Sequence, residues 1–230
     1  DRSSAASDVY KRQCLHWRKC TVTEAFMTPL AATLERLDWQ TIGLELDREG
    51  FVVLPGMFGL EVPGLFANLL NDLYPPLAQL SNRWNDILQL PYRYPPQLTD
   101  FHAQCRAVGQ QQALPQLTCL RKDEHQALGQ DAEGEHVFPF QLAGVLSAPG
   151  EDFTGGECVL TEQRPRMQSR PMVVPLQRGD LAVITTAHRP FKGSKGYYRV
   201  NMKHAISSVR SGERRGFLLS FHLCPGAAHD

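Results

Sequence analysis

From Leu117 onward the chain is cut into short β-rich runs, and no other feature restricts its fold so tightly. Leu117 to Arg121, His136 to Leu146, Glu157 to Gln163, Met172 to Leu176, Leu181 to Thr186, Tyr197 to Ile206 and Gly216 to Leu223 are separated by Gly, Pro, Asp and Ser clusters. Apolar runs of this length, bounded in this way, predict strands joined by tight turns. Seven of them in succession imply two packed sheets or a flattened barrel. A jelly roll is the natural fit, because it buries two inner faces and leaves a mouth able to hold a ligand. Gly155-Gly156, Gly179-Asp180 and Gly193 are the expected turn positions.

The preceding part has a helical period. Leu30, Leu34, Leu37 and Ile42 fall at helical spacing within Pro29 to Glu45, and Gly50 stops the pattern. Phe51 to Leu54 reads as a short strand closed by Pro55-Gly56. Further helices are predicted over Leu60 to Leu73, Pro76 to Leu88 and Thr99 to Val108, with Pro75-Pro76 and the Pro91 to Pro96 segment as breakers. The expected class is α+β. Residues 27–115 form a helical scaffold packed on a β core over 116–225, the whole a single domain.

Residues 1–26 are set apart. Ser3 to Gln13 reads SSAASDVYKRQ, the in-frame translation of a transposase sequencing adapter. Cys14 to Phe26 is then translated upstream sequence, expected to be disordered, with Met27 as the natural start. This stretch holds five of the 24 Lys+Arg and three of the 24 Asp+Glu, which leaves 19 basic against 21 acidic groups. Such a balance is that of an ordinary soluble chain. No apolar run approaches the ~20 residues that a membrane helix needs. Cys105, Cys119, Cys158 and Cys224 form no CxxC pair, so a reduced, cytoplasmic chain is expected rather than a disulfide framework.

Charge is unevenly placed. Between Thr161 and Arg215 twelve Lys and Arg face three acids, Glu162, Asp180 and Glu213. A half of this sign favours anions, a dicarboxylate co-substrate among them. Nucleic acid is set aside as a partner, because apolar strand residues interrupt the charges and no stacked aromatic motif accompanies them.

Three segments then carry a resemblance: HVFPFQLAGVLSAPGEDFTGGECVLTEQRPRMQSRP, VVPLQRGDLAVITTAHRP and GYYRVNMKHAISSVRSGERR. Together they resemble a bacterial-type family of iron(II)/2-oxoglutarate oxygenases related at the fold level to the prolyl 4-hydroxylase catalytic domain. The similarity is dense from Glu124 to His222 and weaker in LDREGFVVLPGMF and LYPPLAQLSNRWN. It implies a double-stranded β-helix in which two histidines and one carboxylate hold Fe(II), leaving open positions for 2-oxoglutarate and O₂. It also implies hydroxylation of a substrate that the sequence does not identify, with release of succinate and CO₂ and with ascorbate as an accessory reductant. Asp131 matches the carboxylate, His204 the distal histidine, and Arg214 the base that pairs with the far carboxylate of 2-oxoglutarate. Thr161, Tyr198 and Arg199 are further residues for the same pocket. Taken alone, Asp131 is a turn former, His204 a half-buried strand histidine and Arg214-Arg215 a solvated pair; the resemblance is what assigns them.

One part departs from the pattern. The family reads Leu-His-Gln-Asp where this chain reads Leu128-Gly129-Gln130-Asp131, and glycine has no donor atom. His125 and His136 are the nearest imidazoles that could stand in. Relatives also carry an extra segment between the counterparts of Asp72 and Leu73, and a longer approach after Arg121. The alternative is a catalytically degenerate β-helix that binds a small anion or a partner without redox turnover.

Overall fold

The structure, a computed structural model, describes residues 34, 36–58, 65–113 and 115–226. The adapter reading of residues 1–26 and the start of the helix expected at Leu60 lie outside the described residues.

Helix α1, Trp39–Glu49, falls in the second part of the helix expected over Pro29 to Glu45, whose first residues lie largely outside the described residues. Asp38 caps it, since its carboxylate accepts from the backbone N–H groups of Gln40 and Thr41 at 3.0 and 3.2 Å and so fixes the first turn. Gly50 ends the helix as expected, in the left-handed region at φ 79° with its N–H on the Leu46 carbonyl. The chain then turns directly into β1, Phe51–Leu54.

The two helices expected on either side of Pro75-Pro76 are one, α2, Leu65–Ile87. The prolines leave the Asn71 and Asp72 carbonyls without a helical donor, and both residues are exposed, so water takes the bonds that the ring nitrogens cannot make. Leu69, Leu73, Leu77 and Trp84 meanwhile form one buried stripe that continues in register past the prolines. The Asp72/Leu73 junction, where an extra segment is expected in relatives, falls inside this helix. Helix α3 follows at Leu98–Ala107.

The remaining strands are β2 Gln110–Gln112, β3 Pro115–Arg121, β4 Gln126–Gly129, β5 Phe140–Val145, β6 Phe153–Gly155, β7 Cys158–Gln163, β8 Arg170–Val174, β9 Leu181–Thr185, β10 His188–Gly193, β11 Gly196–Ile206, β12 Val209–Ser220 and β13 Cys224–Pro225. One sheet has the order β1-β9-β5-β12-β3 with β6 added to β12; the facing sheet has the order β10-β11-β7-β8 with β4 added to β11; β2 and β13 pair separately. Every pairing is antiparallel. From β3 to β12 the chain passes back and forth between the two facing sheets, the winding of a double-stranded β-helix.

The two sheets differ in what they cover. The first is buried on both faces, and β5 and β9 therefore read as largely apolar runs, FQLAGV and LAVIT, broken only by Gln141 and Thr185. Its outer face, with Leu142, Val183, Phe217 and Leu219, packs on Leu46, Leu73, Leu77 and Trp84 of the helices. Its inner face, with Ala143, Val145, Ile184 and Leu218, meets Leu160, Met172, Val200 and Met202 of the second sheet. The second sheet alternates buried and partly exposed residues, as β7 and β11 show. The helical half is thus a scaffold for one sheet, and the space between the sheets holds the polar side chains described next.

Candidate active site

β4 and β11 run antiparallel with Gly129 directly opposite His204. Directly opposed residues project to the same face, and His204, 2% exposed, projects between the sheets. Position 129 therefore faces the interior beside His204. A Cβ placed on Gly129 would meet nothing nearer than the Ala127 carbonyl at 3.9 Å, and the glycine is not in the left-handed region. The backbone accepts a side chain here, and there is room for one.

Asp131 follows two residues later, with its Oδ2 3.3 Å from His204 Nε2. It is held in place by its neighbour. Gln130 Nε2 is within hydrogen-bonding distance of the Ala187 carbonyl at 3.1 Å, Asn201 Oδ1 at 2.8 Å and the Met202 carbonyl at 2.6 Å. Gln130 thereby fills the gap along β11 between the end of β4 and the start of β10. On the opposite side of the ring, His204 Nδ1 lies 3.0 Å from Gln141 Nε2, a fully buried amide on β5.

Arg214 lies on β12, 3% exposed, and is not the solvated residue that its sequence context suggests. Its Nε donates to the Gly156 carbonyl at 2.8 Å. Two glycines make the room: a Cβ on Gly156 would come within 2.8 Å of Arg214 Cδ, and one on Gly216 within 2.6 Å of Nη1. The guanidinium thus extends along β12 over Gly216. Among the described residues no carboxylate pairs with it, and burial lowers its pKa from the usual value. Beside it, burial pushes the Cys158 thiol up to about 11, against the pull of the Arg214 charge. A neutral thiol does not balance a cation. Arg214, Cys158, Phe153, Val145, Val174 and Leu176 bound a cavity of about 300 Å³, whose lining does not include Asp131 or His204.

His125 and His136 are not brought to the Asp131–His204 pair. His125 is exposed and precedes Gly129 by four strand residues, roughly 13 Å. His136 stacks on Tyr92 at 5.3 Å. Thr161 and Arg199 belong to the face of their strands opposite to Leu160 and His204, and so face away from the interior. Tyr198 shares the inner face but packs on Phe191, about 20 Å along β11 from His204. Among the described residues no three His, Cys, Asp or Glu side chains are grouped closely enough to hold a metal ion.

Two buried polar residues escaped the sequence reading. One is Gln141, the single amide in the apolar run FQLAGV. The other is His222, 1% exposed, whose ring lies beside Asp131. Burial draws the His222 pKa down to about 4, although the nearby Asp131 carboxylate and carbonyl favour the protonated ring. A lone polar residue inside an apolar run was the available signal for both.

Comparison with known proteins gives the family of the chain. Residues 56–224 match the family model Oxygenase-NA, described as "Oxygenase, catalysing oxidative methylation of damaged DNA". Two curated proteins of Mycobacterium tuberculosis, "Uncharacterized protein MT2286" and "Uncharacterized protein Rv2227", are each 37% identical over 166 residues, covering 72% of this chain and 71% of theirs. A Burkholderia pseudomallei oxidoreductase of the 2OG-Fe(II) oxygenase family aligns over 89% of this chain and 98% of its own, at 16% identity and a TM-score of 0.42. The match over residues 56–224 and the 37% identity to the mycobacterial proteins place this chain in the Oxygenase-NA family of oxygenases.

Proposed function

We propose that the chain is an iron(II)- and 2-oxoglutarate-dependent dioxygenase that hydroxylates a C–H bond of its substrate and releases succinate and CO₂. One observation carries the reading: Asp131 and His204 converge to 3.3 Å between the sheets, while the same interior holds Arg214 with no carboxylate partner among the described residues. A carboxylate oxygen and an imidazole nitrogen so placed suit a borderline-hard divalent cation. A buried guanidinium without a counter-charge suits a carboxylate ligand, which it can grip in a fork of two N–H donors. Iron bound by Asp131 and His204 would supply oxygen activation, with ascorbate keeping it reduced. The protein's own residues do the rest. Arg214 fixes the far carboxylate of 2-oxoglutarate, Gln130 holds the Asp131 turn against β11, and the apolar layer around Leu160 and Leu218 keeps water from the interior. The four cysteines among the described residues are free, which suits a reducing compartment, the cytoplasm.

The family's description favours damaged DNA as the substrate. A depression of about 380 Å³ lined by Arg164, Arg166, His188 and Arg199 gives phosphates a surface to meet, and Asn201 in its wall accepts from Gln130, the residue before Asp131. Nucleic acid was not expected from the sequence, where apolar strand residues interrupt the charges and no stacked aromatics occur; strands folded side by side bring the charges together, and docking through phosphates does not need the aromatics.

Purified protein is expected to form succinate only with both iron and 2-oxoglutarate, and Gly129→His to form it faster, since the position opposite His204 has space for the ring. Turnover by Gly129→His alone would leave the present chain as the anion-binding, non-catalytic form. Absence of metal binding and turnover in both proteins would overturn the proposal. DNA binding that weakens steeply with salt, and weakens again in Arg166→Ala/Arg199→Ala, would support the substrate class.

A further inference from the structure

We infer that Gln141 sets the tautomer of His204 and is a positioning residue for the metal site; the inference rests on the proposed iron site. Gln141 is fully buried on the inner face of β5, in line with Ala143 and Val145. Its Nε2 lies against His204 Nδ1 at 3.0 Å, and its Oε1 has no hydrogen-bond partner among the described residues. A buried amide with half of its capacity unused is costly in an apolar layer, and the one polar group that it serves is the imidazole.

The two ends of an amide make opposite demands on a ring. With Nε2 donating, Nδ1 must be the bare nitrogen, so the proton sits on Nε2 and faces Asp131 Oδ2 at 3.3 Å. His204 then has no lone pair to offer on the side where Asp131 lies. With the amide turned over, Oε1 accepts a proton from Nδ1, and the Nε2 lone pair is released toward Asp131. Metal-binding histidines almost always donate their other N–H in this way, and losing that partner typically lowers metal affinity ten- to a hundredfold. A carboxylate in place of Gln141 could only accept, and would hold the second tautomer permanently. A glutamine serves both: one end satisfies the metal-free ring and the other the ligating ring. The unpartnered Oε1 is the end held in reserve.

The test reads the tautomer as well as the affinity. In metal-free protein labelled with ¹⁵N in histidine, the His204 proton is expected on Nε2 in the wild type and on Nδ1 in Gln141→Glu. Calorimetric titration with Co(II), without oxygen, is expected to give an affinity for Gln141→Glu at least equal to that of the wild type. Gln141→Met, of similar shape with no amide, should bind ten- to a hundredfold more weakly. The same tautomer in wild type and Gln141→Glu, or an unchanged Co(II) affinity in Gln141→Met, would overturn the inference. If Gln141→Met does not fold, the tautomer in Gln141→Glu decides alone. A wild type that binds no Co(II) would count against the iron site, while the tautomer comparison would still judge Gln141.

Discussion

Arg214 shows what a single residue can be asked to do. Its guanidinium is removed from water, and among the described residues it has one carbonyl partner and no carboxylate. A buried cation in that state costs stability, so an apolar side chain of similar length is expected to be tolerated in its place. Arg214→Met is therefore expected to unfold at equal or higher denaturant concentration than the wild type while losing 2-oxoglutarate binding by calorimetry. A loss of stability with binding retained would remove the argument for an anion site. Gly129 poses the complementary case, a position where the chemistry lacks a group and the packing does not. Gly129→His should fold normally and bind Co(II) at least tenfold more tightly, the scale of a gained ligand shell.

At the scale of elements, the strongest polar tie lies away from the site. Glu162 on β7 and Arg189 on β10 are both fully buried and ion-paired. Arg189 Nη1 also donates to the Asp47 carbonyl at 2.8 Å and Nη2 to that of Arg48 at 3.2 Å, closing the end of α1 onto the second sheet. Removing one partner strands the other, so Glu162→Gln should cost about 3–5 kcal/mol in urea unfolding. Pro75→Ala should instead raise the midpoint, since it returns an N–H to the Asn71 carbonyl without disturbing the buried stripe. These elements also show what was legible in the sequence. β5, β7, β9 and β11 announce themselves by apolar runs or alternation. β12 was foreseen only from Gly216, because residues 210–215 are polar and their pairing with β3 and β6 is a tertiary matter. β10, with its His, Arg and Lys, was missed for the same reason. Asp131, His204 and Arg214 were singled out through family resemblance. Gln141 and His222 were not, since a lone polar residue has no spacing to betray it and only the partner strand reveals its neighbour.

For the molecule as a whole, three histidines link stability to pH. The buried His222 is held neutral to about 4, partial burial lowers His102, and loss of solvation with the nearby Arg199 charge lowers His188. A histidine whose folded pKa lies below its unfolded value near 6.5 takes up protons more readily when unfolded. Stability is then complete above pH 6.5 and falls as the pH drops toward 4. The melting temperature of the metal-free protein is expected to decline across that window, and His222→Leu to flatten the decline.

β12 pairs with β3, β5 and β6, and its contact with β3 joins Arg121 to Glu213, 92 residues apart in sequence. Contacts so distant form late and slowly. During synthesis the first sheet therefore lacks an inner strand until the chain has passed Ser220, and the apolar runs of β3 and β5 remain open edges until then. The strand that closes those edges is also the one that brings Arg214. An incomplete chain thus has neither a closed barrel nor a charge to hold 2-oxoglutarate, and the oxygen chemistry proposed here cannot begin before the barrel that contains it is sealed.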